Sequence, residues 1–220
     1  MDIYEKSLQE HAKHKGKIKV ESKVPLESKE DLSIYYSPGV AGVSSYLAKN
    51  PADTYKYTAV NNSVAVVSDG SSVLGLGNIG PEGALPVMEG KAILFKKFAG
   101  IDAFPIVLDT QDPDKIIETV VNIAPSFGGI NLEDISAPHC FYIEEKLKEK
   151  LSIPVMHDDQ HGTAVVVLAG LINAMKVVGK NLSDCKIVLV GAGAAGVAIA
   201  KLLHKYSGAS IVAVDSKGII

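Results

Sequence analysis

Two kinds of hydrophobic pattern alternate along most of this 220-residue chain. Short apolar, β-branched runs predict buried strands, and longer segments with apolar residues every three or four positions predict helices. The predicted strands between residues 63 and 156 are Ser63 to Ser68, Ile101 to Leu108, Gly128 to Leu132 and Ile153 to Met156. Strands that alternate with helices through short connections predict a parallel sheet flanked by helices.

The same patterns place helices between these strands and on either side of them. The predicted helices cover residues 1–15, a segment with Ser37 as N-cap and Pro38 in its first turn, roughly Glu82 to Phe98, a segment from Asp112, Pro138 to Lys150, and Thr163 to Val178. Alternation of Ile18 and Val20 with polar residues indicates a short strand at Lys17 to Lys23. The charged face of the segment Pro138 to Lys150 includes Glu144 and is typical of a solvated helix surface.

A glycine-rich turn between two apolar strands follows from residue 186. Lys186 to Val190 and Ser210 to Val214 predict the strands, and a helix lies between them. Dinucleotide-binding domains use this order, with glycines at the pyrophosphate and an acid at the ribose. The candidate cofactor-binding residues are Gly191, Gly193, Ala194, Ala195, Gly196 and Asp215.

These patterns predict an α/β fold. Residues 1–160 are expected to form an N-terminal α/β domain with a parallel sheet, and residues 161–220 the start of a Rossmann-type dinucleotide-binding domain. That domain is expected to be incomplete, because a dinucleotide site needs further strands. A second glycine-rich match, Gly75 to Gly80, is not expected to bind a dinucleotide, because Pro81-Glu82-Gly83 follows it instead of a direct helix start.

Acidic pairs follow two of the predicted strands. Glu133 and Asp134 come after one strand, and Asp158 and Asp159 after the next. Parallel strands end at the same edge of a sheet, so the four carboxylates should converge if the strands are neighbours. Carboxylates are the ligands that a hard divalent cation such as Mg²⁺ or Mn²⁺ prefers.

Two histidines flank the second acidic pair and leave other metal chemistry open. His157 and His161 have the spacing of a zinc helix motif, which would indicate a metal-dependent hydrolase or lyase. Asp158 stands where that motif carries glutamate, and the pair lies at a strand–helix junction. A non-catalytic nucleotide-binding regulator is a further alternative, but it leaves the paired acids and Lys91 without a role.

Lys91 falls on the predicted apolar stripe of its helix. The stripe consists of Ala84, Val87, Lys91, Leu94 and Phe98. Burial disfavours a charged ammonium, which would lower the pKa of Lys91 and make it a candidate general base. A lysine that reaches solvent at its tip, or a structural ion pair, explains the pattern equally well.

Composition and charge limit the binding partners and the cellular compartment that we expect for this protein. The net charge of −3 and the lack of a dense Lys/Arg cluster give no reason to expect nucleic acid. Cys140 and Cys185 are far apart, which argues against a disulfide scaffold and fits a reducing compartment. The polar N-terminus is unlike a signal peptide, and the longest apolar stretch, Gly162 to Met175, is too short to span a bilayer. We therefore expect a cytoplasmic protein without a membrane partner.

Several motifs, in order, resemble the malic enzyme family, and most closely its shorter bacterial and archaeal members. They are Tyr36 to Ala41, Leu74 to Gly80, Gly90-Lys91, Leu132 to Asp134, His157 to Ala164, and the turn Gly191 to Gly196. The resemblance runs from about Ile34 to the end of the chain. Agreement of several motifs in order is more specific than any one of them.

The resemblance implies oxidative decarboxylation of malate to pyruvate and CO₂. NAD⁺ or NADP⁺ would be reduced, and Mg²⁺ or Mn²⁺ would be required. By similarity, Lys91 is the general base for the hydroxyl proton, and Tyr36 is the general acid that protonates the enolpyruvate carbon. The resemblance also implies that Glu133, Asp134 and Asp159 are the metal ligands, and that the protein is a homodimer or higher homo-oligomer. Periodicity alone would make Tyr36 a packing residue.

Other residues bear on how the substrate and the cofactor would be bound. Asp158 would orient the site or meet the cofactor. Ser72 stands where larger family members carry an arginine for a substrate carboxylate, so another group must bind it here. Asp215 favours NAD⁺, because it would repel a 2′-phosphate, whereas Lys217 could attract one and favour NADP⁺. A malolactic-type relative, which releases lactate from the same site, is the alternative reaction.

Overall fold

Two separate sheets organise the computed structural model, which describes residues 2–220. The strands are β1 (Ser63–Ser68), β2 (Asp102–Val107), β3 (Gly129–Leu132), β4 (Val155–His157), β5 (Lys186–Val190), β6 (Ser210–Asp215) and β7 (Gly218–Ile219). The first sheet is parallel throughout, with the order β2-β1-β3-β4. In the second sheet β5 and β6 are parallel, and β7 is antiparallel to β6. The predicted α/β class is confirmed.

Helices connect the strands and cover the sheets. They are α1 (Ile3–His14), α2 (Lys29–Tyr35), α3 (Val40–Lys49), α4 (Thr54–Tyr57), α5 (Gly80–Ala99), α6 (Pro113–Ile123), α7 (His139–Lys150), α8 (Asp158–Val178) and α9 (Ala194–Ser207). Single 3₁₀ turns occur at Pro51–Asp53, Ala59–Asn62, Ala124–Ser126 and Leu182–Asp184. The β-α-β order of the first sheet is the one that its hydrophobic pattern predicts.

Each sheet has its own hydrophobic core. The first packs strands β1 and β3 against α6 and α7, with Val67, Leu132 and Ile143 fully buried. Nearly every residue of these two strands is buried, as expected of central strands covered on both faces. The second core lies between α8 and α9 and includes Ala164 and Leu203. Only one face of β5 joins it, since its side chains alternate between half-buried and exposed.

The predicted strand at Lys17 to Lys23 is wrong. This segment is irregular, and the side chain of Val20 is 92% exposed. It is attached to helix α5: the Lys17 N–H donates to Glu89 Oε2 at 3.0 Å, and Lys17 Nζ donates to the Pro86 carbonyl at 2.7 Å. Alternation alone does not make a strand where no neighbouring strand offers hydrogen bonds.

The predicted cap of the next helix is also wrong. Helix α3 begins at Val40, its N-cap is Gly39, and no side chain caps it, so Ser37 is not the cap. The Gly39 N–H instead donates to the Ser33 carbonyl at 2.8 Å. A Cβ at Gly39 would overlap the carbonyls of Ser33 and Ile34. The close approach of α2 therefore fixes the start of α3.

Helices α1 to α4 hold no buried residue. The prediction of a helix before Gly16 is confirmed, and Asp2 caps it through a reciprocal contact with Glu5. The apolar side of this region nevertheless faces outward: the exposed residues include Ile3, Leu8, Leu32, Ile34, Tyr36, Val40, Val43 and Tyr46. Such a surface is larger than the isolated apolar residues that soluble surfaces normally carry.

The buried face of α5 differs from the predicted stripe. Ala84, Met88 and Ala92 are the buried residues, whereas Phe98 is 82% exposed. Lys91 adjoins this face and is half-buried. A lysine at the margin of a buried face keeps its ammonium within reach of polar groups, as the site below shows.

Helix α8 is longer than predicted. It begins at Asp158 rather than Thr163 and runs for 21 residues. By length and composition it could cross a membrane, so the expectation that no stretch is long enough is corrected. Its inner side, however, packs around Ala164 and Leu203, and its first turn carries Asp158 and Asp159. Acidic residues are favourable at a helix N-terminus, which explains the early start.

The expectation of a solvated charged face on α7 fails at one residue. Glu144 is only 6% exposed, and Cys140, Ile143 and Leu147 share its buried side. The charge pattern does not reveal this burial, because the groups that surround Glu144 belong to the later segment at β4 and α8.

Candidate active site

The acidic pairs leave the same edge of the first sheet. Strands β3 and β4 are parallel neighbours, with Leu132 opposite His157. Glu133 therefore follows β3 at the level where Asp158 follows β4. The condition under which the carboxylates were expected to converge, that the two strands are neighbours, is met.

Three carboxylates meet at this edge. Glu133, Asp134 and Asp159 each offer an oxygen atom, and these atoms lie within 4.8 Å of one another. Glu133 and Asp134 are buried, and Asp159 is partly buried. These are the three residues that the resemblance implied as metal ligands, and the fold brings them together.

The donor set fits a hard divalent cation. Asp134 Oδ2 is buried and has no hydrogen-bond partner within residues 2–220. A buried carboxylate oxygen without a partner is unfavourable, and a cation would satisfy it. Oxygen-only donors suit Mg²⁺ or Mn²⁺ better than zinc.

Burial and mutual repulsion shift the acidity of two of these groups. Burial raises the pKa of Glu133 to about 7, although Lys91 and Asn131 pull it down. Burial and the charge of Asp159 raise the pKa of Asp134 to about 6. Without a cation, the site therefore resists holding all of its negative charges at once.

The His157 ring contacts the Asp159 carboxylate. Its ring is fully buried, and Nε2 lies 2.9 Å from Asp159 Oδ2, an ion-pair contact without good hydrogen-bond geometry. Burial lowers the pKa of His157, but Asp159 and Cys140 outweigh burial and raise it to about 9. For Asp159 the directions are reversed: burial alone would raise its pKa, but His157 holds the pKa of Asp159 below its ordinary value. Asp159 Oδ2 also accepts the Asp134 N–H at 2.9 Å.

The zinc alternative has no support in this geometry. His157 contacts Asp159, whereas His161 Nε2 lies 2.7 Å from Glu144 Oε1. The two imidazole rings thus contact different carboxylates. Within residues 2–220, the one cluster suited to a metal ion contains carboxylates only.

Lys91 is tied to the cluster by two ion pairs. Its Nζ lies 2.6 Å from Asp158 Oδ2 and 3.1 Å from Glu133 Oε1, and its side chain is 22% exposed. Burial alone would lower the pKa of Lys91, but Asp158 and Glu133 together raise it. The expectation of a lowered pKa is therefore wrong for the arrangement in which both carboxylates hold the ammonium.

The loop after β1 packs over the acidic edge. The Ser72 N–H donates to the Asp134 carbonyl at 3.0 Å, and Ser71 Oγ accepts the Ser136 N–H at 2.9 Å. Asp134 has φ 55°, a left-handed conformation that costs energy outside glycine. These bonds hold Asp134 in that conformation. Ser72 itself is exposed.

The glycine-rich part of this loop opens helix α5 directly at Gly80. The prediction that no helix starts directly after this loop is therefore wrong. A Cβ at Gly70 would overlap the Gly80 backbone, so the loop folds tightly back to the end of β1. That it does not bind a dinucleotide stays a prediction.

Asn131 is a polar residue of the site that the hydrophobic pattern did not predict. Asn131 lies within buried strand β3 and donates from Nδ2 to Glu133 Oε2 at 2.8 Å. An asparagine inside an apolar run was an available signal, because a buried amide needs a partner.

Tyr36 is the remaining candidate catalytic residue. It follows α2 and is 68% exposed. Within the described chain its hydroxyl forms no hydrogen bond to Lys91 or to the carboxylates. Its assignment as general acid stays a prediction.

The second sheet carries the predicted dinucleotide turn. Gly191 follows β5 with φ 106°, and a Cβ at Gly196 would overlap the Gly191 carbonyl. Helix α9 starts at Ala194, followed by Ala195, and its N-cap Gly193 supplies no side chain. The first N–H groups of α9 are thus available to an anion, and no atom crowds the Cβ position of Gly193.

Asp215 lies at the same edge as this turn. It ends β6, which is parallel to β5, and Val214 pairs with Val190. Its Oδ1 accepts the Lys217 N–H at 2.7 Å, and the residue is exposed. The geometry suits a ribose contact beside the glycine turn.

Comparison with known proteins covers both sheets. The family model "Malic enzyme, N-terminal domain" matches residues 15–114 and 110–148, and "Malic enzyme, NAD binding domain" matches residues 160–217. A bifunctional malic/malolactic enzyme of Bacillus subtilis is 58% identical over 220 residues, which is 100% of this chain and 54% of that protein. An NAD-dependent malic enzyme of Geobacillus stearothermophilus is 60% identical over 205 residues, or 93% of this chain and 43% of that protein.

A solved structure agrees with both matches. The crystal structure of an NAD-dependent malic enzyme from Thermotoga maritima superposes with a TM-score of 0.94 at 55% identity. The match covers 100% of this chain and 57% of that one. The chain thus spans about half the length of the curated relatives it matches. Matches to both domains, in order and over nearly all residues, establish that the chain belongs to the malic enzyme family.

Proposed function

We propose that the protein catalyses the metal-dependent oxidative decarboxylation of malate to pyruvate and CO₂, with reduction of NAD(P)⁺. The observation that carries this proposal is the convergence of Glu133, Asp134 and Asp159 beside Lys91. A 2-hydroxy acid must lose a proton and a hydride to be oxidised. An ammonium–carboxylate cluster next to a metal-binding group is equipped for the proton part of that reaction.

Two bound groups supply the remaining chemistry. Glu133, Asp134 and Asp159 would hold Mg²⁺ or Mn²⁺, which acts as a Lewis acid towards the substrate's oxygen atoms. A nicotinamide cofactor accepts a hydride when it is bound. Neither role falls to an amino-acid side chain, so the protein's contribution is to position the reactants and to move protons.

Lys91 is the residue that we assign to the hydroxyl proton. Its Nζ must be neutral before it can accept one, and two carboxylates now favour its charged form. When Glu133 serves as a metal ligand, Asp158 remains as the partner at 2.6 Å. Asp158 would then position the ammonium that forms on proton transfer.

Tyr36 is the residue that we assign to the returning proton. Decarboxylation leaves a carbon that must gain a proton before pyruvate is complete, and a phenol hydroxyl can donate it. The support is the motif Tyr36 to Ala41. In this chain the residue is exposed, at the end of α2.

For the cofactor we propose NAD⁺, with NADP⁺ as the alternative. An exposed carboxylate at Asp215 would repel a 2′-phosphate, and its side chain is held by the Lys217 backbone. The Lys217 ammonium could attract the same phosphate. The relative from G. stearothermophilus is named NAD-dependent.

Malolactic decarboxylation is the second candidate reaction. One similar protein, from B. subtilis, is named as bifunctional for malic and malolactic activity. The same metal cluster and lysine would serve both reactions. The product distinguishes them, because pyruvate requires net reduction of the cofactor and lactate does not.

We further propose a cytoplasmic homodimer or higher homo-oligomer that acts on malate without nucleic-acid or membrane partners. The exposed apolar side of α1 to α4 would be covered by a second copy. Both cysteines are free, which fits a reducing compartment. The net charge of −3 offers no attraction to nucleic acid.

The direct test is an absorbance assay at about 340 nm, where reduced nicotinamide absorbs. The full-length protein is incubated with malate and Mn²⁺, and NAD⁺ is compared with NADP⁺. We expect malate-dependent reduction that chelation of the metal abolishes, with pyruvate as the product. Lactate without net cofactor reduction would favour the malolactic reaction, and turnover that a chelator leaves unchanged would contradict a metal-dependent site.

A further inference from the structure

The buried carboxylate of Glu144 lies outside the groups that the proposed reaction uses. It belongs to α7, and its side chain is only 8% exposed. An unpaired buried charge is costly, so a buried carboxylate needs several donors around it. Glu144 has them, and most come from one short segment of the chain.

The donors to Glu144 converge from the β4–α8 junction. Oε1 accepts the His157 backbone N–H at 3.1 Å and lies 2.7 Å from His161 Nε2. Oε2 accepts Gln160 Nε2 at 3.3 Å. Lys148 Nζ, on α7 itself, donates to Oε1 at 2.7 Å. Burial alone would raise the pKa of Glu144, but Lys148 and His161 hold it below its ordinary value, so the group is a carboxylate.

These donors surround a metal-site residue. His157, Gln160 and His161 lie on both sides of Asp159 in sequence. Gln160 Nε2 also lies 3.0 Å from His157 Nδ1, and His157 Nε2 lies 2.9 Å from Asp159 Oδ2. A continuous series of contacts thus runs from Glu144 through Gln160 and His157 to the Asp159 carboxylate.

We infer that Glu144 is a positioning residue, which anchors the β4–α8 junction so that Asp159 meets Glu133 and Asp134 around a cation. This inference rests on the proposed metal-dependent function. The backbone bond to His157 fixes the end of β4, and the bonds to Gln160 and His161 fix the first turns of α8. Asp159 lies between these fixed points.

The test compares Mn²⁺ binding by the full-length protein and its Glu144→Gln variant. Free Mn²⁺ is measured by electron paramagnetic resonance, and thermal unfolding is measured without metal. An amide keeps the size of the side chain but cannot accept all four donors. We expect Mn²⁺ affinity to fall by about 10- to 100-fold, the usual cost of losing a group that orients a metal ligand.

Two further variants sharpen the comparison. Lys148→Met removes the one donor that lies outside the junction, and we expect its Mn²⁺ affinity to stay within about twofold of wild type. Gln160→Met removes the link from Glu144 through the Gln160 amide to the His157 ring, and it leaves the Glu144 carboxylate and its bond to the His157 backbone in place. The Gln160→Met variant should bind Mn²⁺ more weakly than wild type. If Glu144→Gln does not fold, this variant tests whether Glu144 positions Asp159.

The outcomes separate this inference from the proposed function. If wild type does not bind Mn²⁺, the metal-dependent function fails, and the inference fails with it. If Glu144→Gln and Gln160→Met both bind Mn²⁺ as tightly as wild type, Glu144 has a structural role only. The inference is then overturned, even where the unfolding temperature of a variant falls. Weakened binding in a variant that folds supports it.

Discussion

Lys91 Nζ lies 2.6 Å from Asp158 Oδ2, and this ion pair joins helix α5 to the first turn of α8 at the carboxyl edge of the first sheet. The same ammonium lies 3.1 Å from Glu133. Lys91 thus contacts one carboxylate inside the candidate metal cluster and one outside it. In the proposed reaction, this single side chain would couple proton transfer to metal binding.

Replacement of Lys91 tests this arrangement. Lys91→Met removes the proposed base, so we expect malate-dependent turnover to fall by about 10²- to 10⁴-fold, the usual contribution of general acid–base catalysis. Dinucleotide binding should stay within about twofold, because the glycine turn lies in the second sheet. Turnover is measured by cofactor reduction, and binding by fluorescence titration with NADH.

A matched control lies on the same helix. Lys96 is exposed and pairs with Asp102 at 2.8 Å, away from the acidic edge. Lys96→Met should leave turnover unchanged. Wild-type turnover in Lys91→Met would contradict the role of Lys91 as the base.

Gly162 controls where Asp158 lies. A Cβ at Gly162 would overlap Asp158 Oδ1, the tip of a side chain that can move. Gly162→Ala should therefore fold, displace Asp158 from Lys91 and lower kcat by about tenfold, the equivalent of about 1.4 kcal/mol. Steady-state kinetics together with thermal unfolding measure both effects.

Gly170 provides the comparison on the same helix. Apart from the adjoining residues and the surrounding helix backbone, no atom lies within 4 Å of a Cβ at Gly170. Gly170→Ala should therefore stabilise the protein by about 0.5–1 kcal/mol, because alanine favours the helix, and leave kcat unchanged. Equal kcat in the two alanine variants would show that Asp158 has no influence on turnover.

Metal binding should depend on pH. The pKa of Glu133 is about 7 and that of Asp134 about 6, so a cation must displace protons from these groups below neutral pH. We expect Mn²⁺ affinity to rise from pH 5.5 to pH 8 and proton release to be largest at the acidic end. Calorimetric titration in buffers of different ionisation enthalpy measures that release, and a flat affinity profile would argue against these ligands.

The same pKa shifts predict the stability of the metal-free protein. Because the folded pKa of Glu133 is raised, its stabilising contribution is complete below the ordinary value of 4.5 and is lost as pH rises through about 7. Asp134 has the same effect: its stabilising contribution is lost as pH rises from its ordinary pKa of 3.8 through about 6. Added Mn²⁺ should restore stability at neutral pH, which denaturant unfolding with and without the metal would reveal.

Local sequence patterns were sufficient for the first sheet. The strand end at Leu132 follows from a short apolar run, and the next apolar run ends at Met156, one residue before the end of β4 at His157. The parallel order follows from alternation with helices. The convergence of Glu133, Asp134 and Asp159 then needs only the adjacency of the two strands. The strand ends depend on one strand and its immediate continuation, which is why those predictions succeeded.

Predictions that depend on distant parts of the chain failed. The alternation at Ile18 and Val20 has no neighbouring strand, and the burial of Glu144 depends on groups that start 13 residues later, at His157. The pKa of Lys91 is raised because two later acidic segments reach it. Spacing along one helix cannot show such contacts, since they arise only when separate elements pack together.

Asp215 should determine the choice of cofactor. Removal of its charge by Asp215→Ser eliminates repulsion of a 2′-phosphate, so we expect kcat/KM for NADP⁺ relative to NAD⁺ to rise about tenfold or more. Asp184→Asn changes an exposed carboxylate on the 3₁₀ turn before β5 and should leave the ratio unchanged. An unaltered ratio in Asp215→Ser would assign cofactor choice to another group, with Lys217→Ala as the next variant.

Alanine at Gly196 and alanine at Gly193 should impair different properties of the protein. Gly196→Ala places a Cβ against the Gly191 carbonyl, and such overpacking should destabilise the fold by about 1–3 kcal/mol. Gly193 has an ordinary φ of −76°, and no atom beyond the two adjoining residues lies within 4 Å of its Cβ position. Gly193→Ala should therefore unfold at the wild-type temperature.

Binding of the cofactor separates the two glycines further. If the pyrophosphate approaches the N-terminus of α9, a Cβ at Gly193 occupies part of its space, and we expect NADH affinity to fall by at least about tenfold in a fully folded variant. Loss of binding without loss of stability locates the ligand beside this backbone, because no protein contact is disturbed. Wild-type NADH affinity in Gly193→Ala would mean that the pyrophosphate does not approach the backbone at this position.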